Sequence, residues 1–177
     1  MDANTLDAVP VPLRPLLGEI GAVVVLSARL EWALRYVQRR VTGSVEVDHR
    51  LHIDGLVKSI RQTAMAHVHS AVETNNVTSW ASDAKAALTR RGDLVHAIWS
   101  SAADGLAAPS TDENTTDETL FLTKPRGSTT AAFNSAEMTT LCNEMQRLLR
   151  NADGSIAKQA GRIARAPRRQ PTSEAAT

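Results

Sequence analysis

Aromatic residues, cysteine and long apolar runs are all scarce in this sequence of 177 residues. Aromatics make up 3% of it, so a core must consist mainly of Leu, Val, Ile and Ala, which suits packed helices better than a β-sandwich. The single cysteine, Cys142, excludes an internal disulfide, and the lack of a recognisable signal peptide adds to the indication of a reducing cytoplasm. The longest apolar run, Ile20–Leu26, is too short to cross a bilayer. We therefore expect a soluble cytoplasmic protein with no membrane partner.

Several chemical signatures are also missing. The sequence contains no P-loop, no GxGxxG pattern and no Ser-His-Asp arrangement. His49 and His52 lie near Asp48 and Asp54, but without cysteine or HExxH spacing a solvated turn explains them better than a metal site. We expect neither a cofactor nor a bound metal.

What is present is typical of a globular protein: 42% hydrophobic and 22% charged residues with a net charge of +1. The charges are unevenly distributed. Residues 104–118 carry five acids and no base, and residues 158–169 carry five bases and no acid. The first stretch predicts a solvated loop, and the second predicts a basic tail.

Helical periodicity predicts a mainly all-α fold of four to five helices. A long first helix is expected from Leu13 to Gly43, and a second from about Ile53 to Val72. A turn follows at Asn75–Asn76, and Thr78 or Ser79 caps a third helix that carries Trp80 and Ile98. Residues 119–124 and 128–133 alternate as a short β-hairpin would. A capping box at 134–137 then begins a final helix that ends near residue 150.

These elements predict three segments. Residues 1–12 form an extended lead-in with two prolines, residues 13–151 form one helical bundle, and residues 152–177 form a flexible basic tail that is frayed or partly helical. The alternative for the tail is a surface that follows a phosphate backbone through its arginines, Arg162, Arg165, Arg168 and Arg169.

Four residues separate Arg91 from His96 in the segment RGDLVHAIW of the third helix. Five positions turn a helix by about 140°, so the two side chains do not stack, but a long arginine beside Gly92 can border the same groove as the histidine. Asp93 lies three residues before His96, where it would orient the imidazole. Histidine moves the proton of a ribose 2′-hydroxyl or of the leaving oxygen, and arginine holds the phosphate. This set suits metal-independent cleavage of RNA.

The spacing alone has another explanation. With 16 Arg and 5 His in the chain, chance supplies roughly one pair separated by four to six residues, and Arg61 and His67 are such a pair. In this interpretation, Arg91 is an arginine on the surface of the helix and His96 is a half-buried histidine. The interior Gly92 also indicates close approach of another helix or of a ligand to the backbone.

The sequence around Arg91 and His96 is more specific than the spacing of the two residues. Together with the order of elements over residues 13–150, it resembles the R-x4–6-H motif of HEPN (higher eukaryotes and prokaryotes nucleotide-binding) domains, which are small helical bundles. The matching residues are Arg91, Leu94, Val95, His96, Ala97 and Trp99.

The resemblance implies a HEPN-like bundle and a metal-independent endoribonuclease activity. His96 would be the general acid and base, Arg91 the phosphate-holding group and Asp93 an orienting group. Arg90 offers an alternative arginine one position earlier, and Trp99 supports the motif. Family members commonly pair so that both motifs face one cleft, which implies a homodimer. The resemblance also implies RNA as a partner and a phage-defence, toxin–antitoxin or RNA-processing setting. A cognate antitoxin or another partner protein would belong to such a setting.

Two further points remain open at this level. Glu31, in the middle of the first helix, is a candidate supporting group whose alternative is a surface acid. The chain departs from the family pattern at Gly92, where members commonly carry Asn or another polar residue. That departure favours the alternative function, a non-catalytic helical adaptor that uses the same surface for dimer or partner contacts.

Overall fold

In the computed structural model the described residues are 17–46, 49–104, 120–123, 130–133 and 135–169; for 96–104 and for the two strand segments only the backbone is described. The chain is mainly helical, as its composition predicts. Within this described part, no helix combines the length and the apolar character needed to span a bilayer. The elements in chain order are α1 (Leu17–Thr42), α2 (Ile53–Ala66), α3 (Ala71–Asp104), β1 (Leu120–Thr123), β2 (Thr130–Phe133), α4 (Ser135–Asn151), a π-helical segment (Ala152–Ile156) and α5 (Ala157–Arg165).

The first helix confirms the prediction of a long element, with 26 residues. It ends where Thr42 donates its hydroxyl to the carbonyl of Gln38 at 3.0 Å and Gly43 adopts a φ of +70°. Such a left-handed residue stops a helix at little cost only when it is glycine. Arg39 and Arg40 occupy the last turn, where positive charge complements the exposed carbonyls.

The boundary between α2 and α3 differs from the predicted one. The second helix ends at Ala66 rather than near Val72, and the third begins at Ala71. Asn75 and Asn76, which predicted a turn, lie inside α3. A helix of 34 residues therefore replaces a shorter one.

Hydrogen bonds to a distant segment of the chain explain where α2 ends. The N–H of Val68 donates to the carbonyl of Pro167, and the N–H of Arg169 donates to the carbonyl of Ala66, both at 2.8 Å. His67 is buried, and its Nδ1–H donates to the carbonyl of Ala166 at 2.9 Å. Because these bonds satisfy the extended backbone after Ala66, they outweigh the local turn signal farther along.

The predicted basic tail is helical rather than flexible or frayed for most of its described length. The chain continues from α4 through the π-helical segment into α5, and on to residue 169. Small side chains bring α5 into the core, since Ala160 and Gly161 are buried beside Ile163. The arginines lie on the opposite, exposed side of the helix. Residues 170–177 lie outside the described part.

The two strands pair antiparallel, with Leu120 opposite Phe133 and Thr123 opposite Thr130. The residues between them, 124–129, are not among the described ones, so the hairpin connection itself stays a prediction. The lead-in at 1–12 and the acidic loop expected at 104–118 also fall on residues outside the description, except for Asp104 at the end of α3.

The chain divides into two compact units rather than the single bundle expected over 13–151. The first unit comprises Met1–Ala28 and Ala87–Gln146, and the second comprises Arg29–Ala86 and Arg147–Thr177. Each unit has its own buried apolar residues. Those of the first include Val23, Leu26, Leu94, Met138, Leu141 and Met145; those of the second include Leu30, Leu34, Leu56, Ile60, Trp80, Leu148 and Ile163.

Candidate active site

The segment RGDLVHAIW lies in α3 and belongs to the first unit. Leu94 is buried with 2% of its surface exposed, and this fixes the rotation of the helix. Arg91, three residues earlier, lies near the same face and is half-buried, whereas Arg90 is exposed. The backbone is helical through His96 and Trp99, but the side chains of those two residues lie outside the described part. Their assignments as acid/base and as supporting group therefore stay predictions.

The two candidate arginines have different surroundings. Arg90 donates from Nη1 to Oε2 of Glu144 at 3.0 Å, across from α4. Arg91 has a buried Nε without a hydrogen-bond partner, and no acidic side chain in the described residues pairs with it. The charge of Arg90 is thus neutralised by a neighbour. Among the described residues, no acid neutralises the charge of the Arg91 guanidinium, a group that binds anions through charge-assisted hydrogen bonds.

Asp93 is half-buried, and its carboxylate is not free. This position is compatible with an orienting group three residues before His96. The contact between the two is outside what the structure describes, so the role of Asp93 stays a prediction.

Gly92 is not closely approached by another helix in the part of the chain that the structure describes. A Cβ placed on it meets no described atom within 4 Å, so the expected contact with another helix is wrong for these surroundings, and the expected approach of a ligand stays a prediction. Sterically the site accepts a larger residue. Glycine in a helix interior costs about 1 kcal/mol relative to alanine. Gly92 therefore departs from the family pattern by lacking a polar side chain, and packing among the described residues does not require a glycine at this position.

Glu31 belongs to the second unit, where it pairs with Arg35 one helical turn later, Nη2 to Oε1 at 2.8 Å. Its side chain is about half-exposed, so the ion pair is a surface interaction of small energetic value. This environment favours the surface-acid interpretation over a supporting role.

A second group of charged residues was not recognised from the sequence. Glu73, at the start of α3, accepts hydrogen bonds from the guanidinium of Arg162, one of them from Nε at 2.9 Å, and also contacts Nε2 of His69. The hydrogen bond from Arg162, followed by that from His69, lowers the pKa of Glu73, and the same contact raises the pKa of Arg162. This cluster joins α5 to α3 within the second unit. Nothing local in the sequence signals it, because Glu73 and Arg162 lie 89 positions apart.

The remaining candidates are accounted for individually. His49 and His52 are exposed, and the described residues contain no group of three or more potential metal ligands. His67 and His69 lie in an extended connection, and each contacts a different partner. Cys142 is half-buried, and burial, with a smaller effect of Glu19, raises the pKa of its thiol. A raised pKa keeps this thiol protonated and slow to react at neutral pH.

No protein-family model, curated protein or solved structure matches this chain.

Proposed function

We propose that this chain is a HEPN-like RNA-binding protein and a metal-independent endoribonuclease that acts as a homodimer through Arg91 and His96. The chemistry is attack of a ribose 2′-oxygen on the adjacent phosphorus. A bond forms between this oxygen and phosphorus, and the bond from phosphorus to the 5′-oxygen breaks. His96 takes the 2′-hydroxyl proton and returns a proton to the leaving 5′-oxygen, while Arg91 stabilises the charge on the phosphate.

One observation carries the proposal more than any other. Of two adjacent arginines, Arg90 is paired with Glu144, and Arg91 is half-buried without an acidic partner among the described residues. A partly desolvated guanidinium binds an anion more strongly than one in water, because the local dielectric is lower. Arg91 is also the residue that the resemblance places at the phosphate.

The adjacent arginines supply a matched test. Labelled RNA is incubated in EDTA with wild type, Arg91→Gln and Arg90→Gln, each variant removing one positive charge. We expect Arg91→Gln to lower the cleavage rate by about 10²- to 10³-fold, the usual effect of removing one group that stabilises transition-state charge. Arg90→Gln should stay within a few-fold of wild type, because an exposed ion pair with Glu144 contributes little to folding.

Equal losses in both variants, with circular dichroism showing both folded, would reject Arg91 as a specific phosphate ligand. A larger loss in Arg90→Gln would move the catalytic arginine one position earlier.

A second candidate is the non-catalytic adaptor. It is favoured by two exposed valines on α1, Val24 at 41% and Val25 at 60%, and by the absence of a polar side chain at Gly92. Apolar surface of this kind is used in partner contacts. Intact RNA after incubation with the wild-type dimer, together with loss of dimerisation in Val25→Asp, would select this function over the first.

A further inference from the structure

An aromatic and arginine ladder runs along the second half of α1. The rings of Trp32 and Tyr36 stack with centroids 5.6 Å apart and planes within 4° of parallel. The guanidinium of Arg39 lies 5.6 Å from the centroid of Tyr36. Trp32 is 64% exposed, although burying an indole is normally favourable. These three residues, spaced four and three apart, share one helix face and leave a large aromatic surface open to a ligand.

The ladder leads into a basic cleft at the end of the same helix. The cleft has a volume of about 390 Å³, and Arg39 belongs to both features. Its other charged residues are Arg40 and Arg165, and none of the described residues that line it is acidic. No ion pair joins any of these three arginines to an acid in the described ranges. Uncompensated like charges around one cleft repel each other, so an anion that binds there relieves the repulsion.

Backbone features of the cleft give Arg40 its position. Gly161 of α5 lines the cleft, and a Cβ at that position would lie 2.8 Å from Nη2 of Arg40. The glycine therefore allows the guanidinium to lie directly against α5. Gly43 turns the chain away after α1 in a conformation that other residues rarely adopt.

Helix dipoles do not account for all of this charge. Both α1 and α5 end beside the cleft, at Thr42 and Arg165. Each C-terminus carries about half a negative charge, so together they offset about one of the three positive charges. About two positive charges are left, which is enough for one or two phosphate groups.

We propose that this surface binds single-stranded nucleic acid, with phosphates held in the cleft by Arg39, Arg40 and Arg165 and a base stacked on Trp32. Trp32 and Arg39 are seven positions apart on the helix, a rise of about 10 Å, so one short strand reaches both. A stacking platform beside basic residues selects single strands, because a duplex keeps its base faces covered. The surface lies within the second unit and needs no contribution from Arg91 or His96.

The test uses the full-length chain and a fluorescent oligo-deoxythymidylate of about 12 nucleotides, a length typical of single-strand sites. This ligand has no 2′-hydroxyl and cannot undergo the cleavage proposed above, so its binding is independent of that activity. Anisotropy titrations at several salt concentrations compare wild type, Trp32→Ala and the double variant Arg39→Gln/Arg40→Gln. A matched control, Lys58→Gln/Arg61→Gln, removes two exposed charges from α2, outside the cleft.

We expect Trp32→Ala to weaken binding roughly 5- to 150-fold with an unchanged salt slope, since stacking carries no charge. The arginine double variant should weaken binding at least about tenfold and reduce the slope of log affinity against log salt by about 1.4, because two phosphate contacts are lost. The control should remain within about threefold of wild type. An oligo-uridylate of the same length should bind similarly, and a duplex of the same length should bind more weakly.

Four results would overturn the proposal. A loss in the control equal to that in the arginine variant would indicate non-specific attraction. Unchanged affinity in Trp32→Ala with full competition by inorganic phosphate would indicate a small-anion site. Equally tight binding of the duplex and the single strand would exclude base stacking on Trp32. Dissociation of a dimer by Trp32→Ala in sedimentation, at unchanged affinity per subunit, would make Trp32 a subunit contact.

Discussion

Replacing His96 by alanine is expected to lower the rate of RNA cleavage in EDTA by about 10²- to 10⁴-fold, the usual contribution of a general acid or base. The imidazole is the only group in the proposed mechanism that moves a proton, and the methyl group of alanine cannot do so. Binding should be much less affected, because Arg91 still holds the phosphate. The measurement is a single-turnover time course on labelled RNA, with affinity determined in parallel.

His49→Ala is the matched control. His49 is exposed in the connection before α2, and removing it should leave the cleavage rate within a few-fold of wild type. Cleavage by His96→Ala at the wild-type rate would exclude His96 as the general acid and base. Equal loss in both variants would point to a general effect on folding.

Trp80→Ala is expected to produce the largest loss of stability, lowering the free energy of unfolding by about 3–5 kcal/mol. Trp80 is 4% exposed, and its Nε1–H donates to the carbonyl of Leu148 at 3.0 Å. Truncation leaves a cavity and removes the hydrogen bond that the indole donates to the Leu148 carbonyl. Urea unfolding followed by circular dichroism measures the change.

Two further tryptophan variants separate the causes. Trp80→Phe keeps most of the ring volume and removes the hydrogen bond, so its cost should be smaller, about 1–3 kcal/mol. Trp32→Ala, at an exposed position, should change stability by less than about 1 kcal/mol. A loss for Trp80→Ala no larger than that for Trp32→Ala would contradict the packing of α3 against the Leu148 region of the chain.

Helices with strong local signals were predictable from the sequence. The first helix follows from the regular spacing of Leu30, Leu34, Val37 and Val41, all of which are fully buried. Its end follows from Gly43, whose backbone has the left-handed conformation that such a glycine indicates. In this part of the chain, local propensity and tertiary packing favour the same structure.

The break between α2 and α3 was not predictable in the same way. The pair Asn75–Asn76 is a turn signal, but both residues lie within α3. The residues that interrupt the helix at His67 are near position 166, almost 100 positions later in the sequence. Secondary structure is predicted from short stretches of sequence, and no such stretch around His67 includes a partner at that distance. The tertiary hydrogen bonds outweigh the weak local preference of the residues for helix or turn.

The C-terminal residues illustrate a different difficulty. Their arginine content predicted solvent exposure, and the arginines are indeed on the outside. Apart from Ile163, the buried side of α5 consists of small residues, Ala157, Ala160 and Gly161, which contribute little to a hydrophobicity pattern. The three small residues are nevertheless spaced by three positions and by one, as residues on one helix face are. This spacing indicates an ordered helix, whereas the arginine content alone indicates a solvated tail.

The candidate site shows where sequence information ends. The motif and its helix follow from the residues, but Arg90 and Arg91 are equivalent in the sequence. They differ in burial and in the pairing of Arg90 with Glu144, which is 54 positions from Arg90 and lies on another helix. The basic surface of the second unit was likewise hidden, because it combines Arg40 with Gly161 from distant segments.

The ends of the RNA fragments test the central claim most directly. Wild-type protein in EDTA should leave a 2′,3′-cyclic phosphate on the upstream fragment and a 5′-hydroxyl on the downstream one, because the 2′-oxygen is the nucleophile. The same RNA with one 2′-deoxynucleotide at the scissile position should remain intact there. Fragments with a 3′-hydroxyl and a 5′-phosphate, or unimpaired cleavage at the deoxy position, would contradict the mechanism assigned to Arg91 and His96.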